Sequence, residues 1–168
     1  MLIFNACVHK EQTQGQSPKT DVNAEDAATE LYRDYAADPA TRFEEERNAL
    51  IEYAMNNGIA AVSSPSGLMY EIQDLGTGDF LKSGDEVSAH YRGMFLDGTE
   101  FDSSYKRGEP LTFKVGQMMK AWNEGLTFMK KGDKAVFLIP SKIGYGERGF
   151  PGYVPPNTPM VFELEVLP

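Results

Sequence analysis

From residue 68 onward the chain is written with a period of two. Leu68, Tyr70 and Ile72 interleave with Met69, Glu71 and Gln73, which predicts a strand with one face turned inward. Similar runs predict a long strand over 87–96 and shorter ones over 111–115, 135–139 and 160–167. Gly76-Thr77-Gly78, Ser83-Gly84-Asp85 and Lys131-Gly132-Asp133 mark turns, and Asp97-Gly98 is a strong hairpin signal, because both residues tolerate positive φ. Between 118 and 129 the period changes. Met118, Met119, Trp122, Leu126 and Met129 recur at the spacing of one short helix. Residues 144–156 hold four glycines and three prolines, too broken a run for regular structure. The sum is an antiparallel sheet of about five strands with one short helix, an α+β fold.

Before residue 63 the pattern is helical. Asn23 and Asp26 read as an N-cap and a first-turn acid, followed by Ala27, Ala28, Leu31, Tyr32 and Tyr35. Asp38-Pro39 reads as a second start, with Phe43, Leu50, Tyr53 and Ala54 forming a narrow stripe behind Glu44, Glu45 and Glu46. Asn57-Gly58 reads as its stop. Residues 24–57 therefore form one or two amphipathic helices. They act either as a dimer arm or as a layer packed on the chain's own domain, and a stripe this narrow and short favours the layer and a monomer. Ser63-Ser64-Pro65-Ser66-Gly67 reads as a boundary. The expected organisation is 1–22 as a signal remnant and flexible tether, 23–62 as a helical extension, and 63–168 as the main domain.

Composition narrows the function. The net charge is −9, and the acids concentrate at the front: residues 1–62 carry 11 acidic and 5 basic side chains, residues 63–168 carry 14 and 11. That balance argues against a nucleic-acid surface, which needs clustered Lys and Arg. One cysteine and two histidines, His9 and His90, exclude an intramolecular disulfide and leave no metal or cofactor motif. Gly144-Tyr145-Gly146 lacks the Lys and Ser/Thr of a phosphate loop. No run of 18 apolar residues spans a membrane. Met1-Leu2-Ile3-Phe4-Asn5-Ala6-Cys7 nevertheless looks like the end of a bacterial lipoprotein signal, and 9–23 is a polar tether. A lipid on Cys7 would place the protein in the periplasm, tethered to the outer membrane; the alternative is the cytoplasm.

Eight segments, in order, resemble the FKBP family of peptidyl-prolyl cis-trans isomerases. They are His90-Tyr91-Arg92-Gly93-Met94, Asp97-Gly98-Thr99-Glu100-Phe101-Asp102-Ser103-Ser104, Trp122-Asn123-Glu124-Gly125-Leu126, Gly132-Asp133-Lys134-Ala135, Ile139-Pro140, Gly144-Tyr145-Gly146, the run from Pro151 to Asn157, and the run from Met160 to Leu167. Each alone is weak; the ordered set covers about residues 67–168 and is specific. The resemblance implies a half-barrel sheet wrapped on one helix, with a pocket between them. It implies Trp122 as pocket floor, Tyr91, Phe101 and Phe162 as walls, Val154 at one edge, and Asp102 and Tyr145 as polar groups facing substrate. Met118 and Met119 occupy the place of the family's Val-Ile pair. Leu111 stands where an aromatic wall is usual, Phe150 where a His is common, and Ala121 where Gly precedes the Trp. The segment from Gly116 to Trp122 is two residues shorter than in the best-known eukaryotic members. These departures reshape the rim, where ligand preference is set.

The implied activity is rotation about X–Pro bonds in proline-containing polypeptides, without cofactor and without a covalent intermediate. Tacrolimus- or rapamycin-type macrolides are the implied pocket ligands. Taken singly, Trp122, Phe101, Phe162 and Val154 are ordinary core types, and Asp102 is an ordinary turn acid. Two other functions fit parts of the sequence: a peptide-binding chaperone module that needs no turnover, and a dimeric adaptor built on 24–57 in the manner of the macrophage infectivity potentiator group.

Overall fold

The computed structural model describes residues 24–168, so the readings of Cys7, His9, the tether and the Asn23 cap lie outside the described residues. Two helices come first, α1 (Ala24–Arg33) and α2 (Arg42–Asn56). The second starts later than Asp38-Pro39 predicts. Thr41 is the N-cap, and it forms a capping box with Glu44: the Glu44 N–H donates to Thr41 Oγ1 at 3.3 Å, and Thr41 N–H donates to Glu44 Oε2 at 2.9 Å. This satisfies two backbone donors reciprocally, which Asp38-Pro39 does not match. The buried stripe of α2 is Leu50, Ile51 and Ala54 rather than one led by Phe43, which lies partly exposed.

Seven strands follow: β1 (Val62–Ser63), β2 (Met69–Asp74), β3 (Glu86–Met94), β4 (Glu100–Ser103), β5 (Leu111–Lys114), β6 (Lys134–Ile139) and β7 (Met160–Val166). They form one antiparallel sheet in the order β1-β2-β6-β7-β3-β4, with β5 also paired to β3. The nine-residue β3 supports this by dividing its free edge: Glu86 to Ala89 pair with β5, and Arg92 to Met94 pair with β4. Two strands exceed the sequence expectation. β1 is only two residues long, and β4 carries no alternation. The segment Ser64–Gly67 forms the bend of the β1–β2 hairpin, closed by Ser64 N–H to Leu68 O (2.8 Å) and Gly67 N–H to Ser64 O (3.0 Å). Two short helices complete the chain, α3 (Ser104–Arg107) and α4 (Lys120–Leu126).

The sheet has two buried faces. The inner face carries Leu68, Tyr70, Ala89, Tyr91, Ala135, Phe137, Ile139, Phe162 and Leu164, closed by Trp122 and Leu126 of α4. Their neighbours in sequence, Met69, Met94, Val136, Leu138 and Val161, point the other way and meet Leu31 of α1 and Leu50, Ile51 and Ala54 of α2. The period of two thus sorts β2, β6 and β7 into both cores. It also explains why β6, Lys-Ala-Val-Phe-Leu-Ile, is apolar at every position after its lysine.

Candidate active site

Trp122 sits at the centre of the inner face and is 1% exposed. Tyr91 and Phe162 meet it edge-on, with ring centroids 5.3 Å away in each case, and Phe113 lies at 5.6 Å. Phe101 meets Phe162 edge-on at 5.6 Å and leans on Phe95 at 4.9 Å. Edge-to-face contacts of this kind hold rings in fixed orientation beyond their area burial. Gly93 permits the arrangement: a methyl there would meet the Phe101 ring at 2.7 Å and the Phe162 ring at 2.8 Å.

Phe101 and Asp102 are consecutive, and on a regular strand they would face opposite ways. The β3–β4 register shifts between Gly93 and Met94, whose partners are Asp102 and Glu100, so Phe101 is the unpaired residue of a bulge. That shift lets Phe101 reach Phe162 while Asp102 reaches Tyr91, whose hydroxyl donates to Asp102 Oδ2 at 2.5 Å.

Arg107 completes a network that sequence reasoning missed. Its guanidinium is paired with Asp102 Oδ1, donates to the Tyr91 hydroxyl oxygen at 2.7 Å, and lies 5.3 Å from the Tyr91 ring centroid. The local sequence folds it back. Ser103 caps α3, and Gly108 ends it in the left-handed region at φ 78°, so one helical turn returns Arg107 to Asp102. Ser104 is fully buried, and its Oγ accepts from Tyr91 N–H at 2.8 Å and contacts His90 Nδ1 at 3.0 Å. His90 is held there with its ring stacked on Tyr105. Burial first, and then the hydrogen bond to Asp102, pushes the Tyr91 hydroxyl up to about 12, with Arg107 pulling the other way.

Tyr145 is half-buried on the inner cluster. Burial, and after it the charge of Asp102, raises its hydroxyl above the usual tyrosine range, so it stays a neutral donor. That hydroxyl makes no hydrogen bond among the described residues. Its ring stacks on Phe150 at 5.2 Å, and Phe150 stacks on Tyr153 at 4.9 Å, a column that ends exposed to solvent. Val154 is buried and pairs with Phe150 across a bridge. Met118, Met119 and Leu111 are half-buried against the same cluster. Asn123 holds the tight loop before α4, accepting from Gly116 and Met118 N–H at 2.9 Å each and donating to Met118 O at 2.6 Å. The Met119 N–H finds no acceptor among the described residues, and the buried Trp122 indole N–H has none either.

The structure therefore gathers all the sequence-named residues of 91–162 around Trp122, with Phe150 and Leu111 at the margin. It adds Arg107, Phe113 and Phe95. Phe113 was legible in principle: it lies two residues from Leu111 on one strand and so shares its face. Among the described residues no cluster of three His, Cys, Asp or Glu side chains is placed to hold a metal, and no helix is long and apolar enough to cross a membrane.

Comparison with known proteins gives one consistent result. A family model for FKBP-type peptidyl-prolyl cis-trans isomerases matches residues 78–167. A probable FKBP-type isomerase of Haemophilus influenzae is 47% identical over 105 residues, 62% of this chain and 44% of that one. FkpA of Escherichia coli K12 is 40% identical over 132 residues, 79% of this chain and 47% of that one. A peptidyl-prolyl cis-trans isomerase of Schizosaccharomyces pombe is 43% identical over 104 residues, 60% of this chain and 93% of that one. The chain thus spans less than half the length of the two bacterial relatives. Among solved structures, FkpA from Escherichia coli superposes with a TM-score of 0.68 at 35% identity, covering 86% of this chain and 64% of that one. AtFKBP13 gives 0.61 at 35% identity, covering 64% and 97%.

Proposed function

The chain belongs to the FKBP-type peptidyl-prolyl cis-trans isomerase family, and on that premise we propose that it accelerates rotation about X–Pro bonds in folding polypeptides, binding the prolyl segment over Trp122. The observation that carries the reading is the ring of Tyr91, Phe162, Phe113 and Trp122 with unspent donors beside it, the Tyr145 hydroxyl and the Met119 N–H.

The uncatalysed barrier is about 18–20 kcal/mol, because rotation breaks amide resonance. The twisted amide has lost its conjugation and carries a smaller dipole than the planar one. Water stabilises the planar form best; an aromatic surface removes that preference and so favours the twisted form. Tyr145 and Met119 hold the carbonyl on one side of the rotating bond, which fixes which half turns. Both oxygens of Asp102 are engaged, by Tyr91 and by Arg107, which supports an orienting role over direct attack on the substrate carbonyl. Leu111, Met118, Phe150 and Val154 shape the rim, and the Phe150–Tyr153 stack offers a surface to the residues flanking proline.

The finer points follow from the same reading. Residues 63–168 form the isomerase unit, and 23–62 cover it. A monomer is supported because Leu31 of α1 and Leu50, Ile51 and Ala54 of α2 are already spent on the sheet. Tacrolimus- and rapamycin-type macrolides occupy the Trp122 site, with affinity altered by Leu111 and Phe150. Cys7 carries a lipid that holds the protein in the periplasm.

A protease-coupled assay of a proline tetrapeptide tests the activity. We expect the full chain to raise the isomerisation rate in proportion to its concentration, and Tyr145→Phe to lower kcat/KM about tenfold, the loss of one oriented donor. A folded wild-type chain that leaves the uncatalysed rate unchanged refutes the proposal.

A further inference from the structure

The mechanism leaves two buried acids unused: Asp133, which accepts from the Gly76 and Lys130 N–H groups, and Glu46. Glu46 lies on α2, outside the residues that the family model matches, and is 7% exposed. Its carboxylate spends both oxygens on one residue 95 positions away: Ser141 N–H donates to Oε2 and Ser141 Oγ–H donates to Oε1, each at 2.7 Å. A buried carboxylate is tolerated where donors meet both of its oxygens, and each charge-assisted bond is stronger than a neutral one.

Ser141 is the first residue of the turn that delivers Tyr145. Pro140 precedes it, and the helical turn Ser141–Ile143 follows. The Ser141 carbonyl accepts from Gly144 N–H at 3.0 Å, and Tyr145 is next. Ser141 is therefore gripped on both sides, its N–H and hydroxyl from α2 and its carbonyl from the residue before Tyr145. Phe43, one turn earlier on α2, adds a second link to this turn: its ring lies against Gly67 and under the Lys142 ammonium, 5.9 Å from its centroid.

We propose that Glu46 is a positioning residue for the isomerase site: through Ser141 it fixes the turn that sets the Tyr145 hydroxyl, so the helical layer tunes catalysis through one carboxylate. The inference rests on the assignment of Tyr145 as the substrate-facing donor. It gives α2 a part in turnover that covering the sheet does not require, since Leu50, Ile51 and Ala54 suffice for that.

The test compares Glu46→Ala, Glu46→Gln and Leu50→Ala in the full chain, by hydrogen exchange of the 140–147 peptide and by steady-state kinetics on a proline tetrapeptide. Leu50→Ala loosens α2 without touching Ser141. We expect Glu46→Ala to speed exchange in 140–147 and lower kcat about tenfold, as a misplaced donor would, with KM little changed. Glu46→Gln, whose amide keeps an oxygen for Ser141 N–H and offers an N–H to the hydroxyl, should restore most of both. Leu50→Ala should lower the melting temperature while leaving 140–147 exchange and kcat near wild type. Unchanged exchange in Glu46→Ala, or the same local change in Leu50→Ala, overturns the proposal. So does a kcat loss that adds in full to that of Tyr145→Phe in the double variant, because a residue acting through Tyr145 has nothing left to act on. An inactive wild type would instead remove the isomerase reading, and the exchange result would still decide whether Glu46 sets the turn.

Discussion

The two faces of the sheet are built from the same strands and differ in what closes them. The inner face is closed by α4 and a set of aromatic rings with polar groups at their margin; the outer face is closed by α1 and α2 with short aliphatic contacts. Leu138 and Phe137 are consecutive on β6 and both wholly buried, yet one belongs to the outer cluster and the other lies under the proposed binding surface. Burial therefore does not separate structural from functional positions here. What separates them is shape: the buried side chains of the outer cluster are Leu, Ile, Val, Ala and Met, while the inner one is built around aromatic rings and holds the indole N–H of Trp122 without an acceptor.

The most severe way to break this comparison is to remove the outer layer. A fragment of residues 63–168 would expose Met69, Met94, Val136, Leu138 and Val161 together. At about 1.5–3 kcal/mol for each buried side chain, the loss reaches the whole stability of an ordinary domain. We expect the fragment to self-associate or melt far below the full chain, read by circular dichroism and light scattering. A monomeric fragment with the full chain's melting temperature would show that the layer is dispensable. A milder contrast sets Leu138→Ala against Phe162→Leu. The first should cost about 2–5 kcal/mol and leave kcat/KM of the folded protein within about twofold. The second, nearer in volume, should cost less than about 1.5 kcal/mol but lower kcat/KM about tenfold, because Phe162 holds both Trp122 and Phe101. If activity tracks stability alone across the pair, the two faces do not differ as described.

The smallest effect is a pH dependence. Tyr91 inside and Tyr105 outside both have hydroxyls pushed up to about 12, in each case chiefly by burial and then by a carboxylate neighbour, Asp102 or Glu165. The folded state holds these protons more tightly than the unfolded chain does. Their contribution is complete below pH 10 and is lost as the pH rises through about 12. Alkaline unfolding curves should therefore steepen over that window, and Tyr91→Phe should flatten only part of the slope, leaving that of Tyr105. An unaltered slope in Tyr91→Phe would mean that the Asp102–Arg107 pair does not sense the hydroxyl.

How much of this was legible in the sequence follows from locality. Strands with a regular period, such as β2, β3 and β7, read directly. β4 did not, because a bulge at Phe101 destroys the alternation that signals a strand, and β1 is too short to show any period. The helical layer was legible as helices and as a cover, but its start was misplaced, since Thr41-x-x-Glu44 competes with Asp38-Pro39 and satisfies more backbone donors. The aromatic set of the candidate site came from the joint order of motifs, not from any single residue. Arg107 escaped because its role depends on a one-turn helix folding it back to Asp102. Glu46 escaped because its partner is 95 residues away.

The doubly buried β6 has a cost during synthesis. Ala135 to Ile139 is an unbroken apolar run of high strand propensity, without proline, glycine or charge inside it. Its partner β7 begins some twenty residues later. A nascent chain that has released β6 but not β7 carries a sticky edge in a half-made sheet, the kind of segment that seeds aggregates. Lys130, Lys131 and Lys134 before the run and Pro140 directly after it have the chemistry of gatekeepers, discouraging strand addition at its ends until the native neighbour arrives.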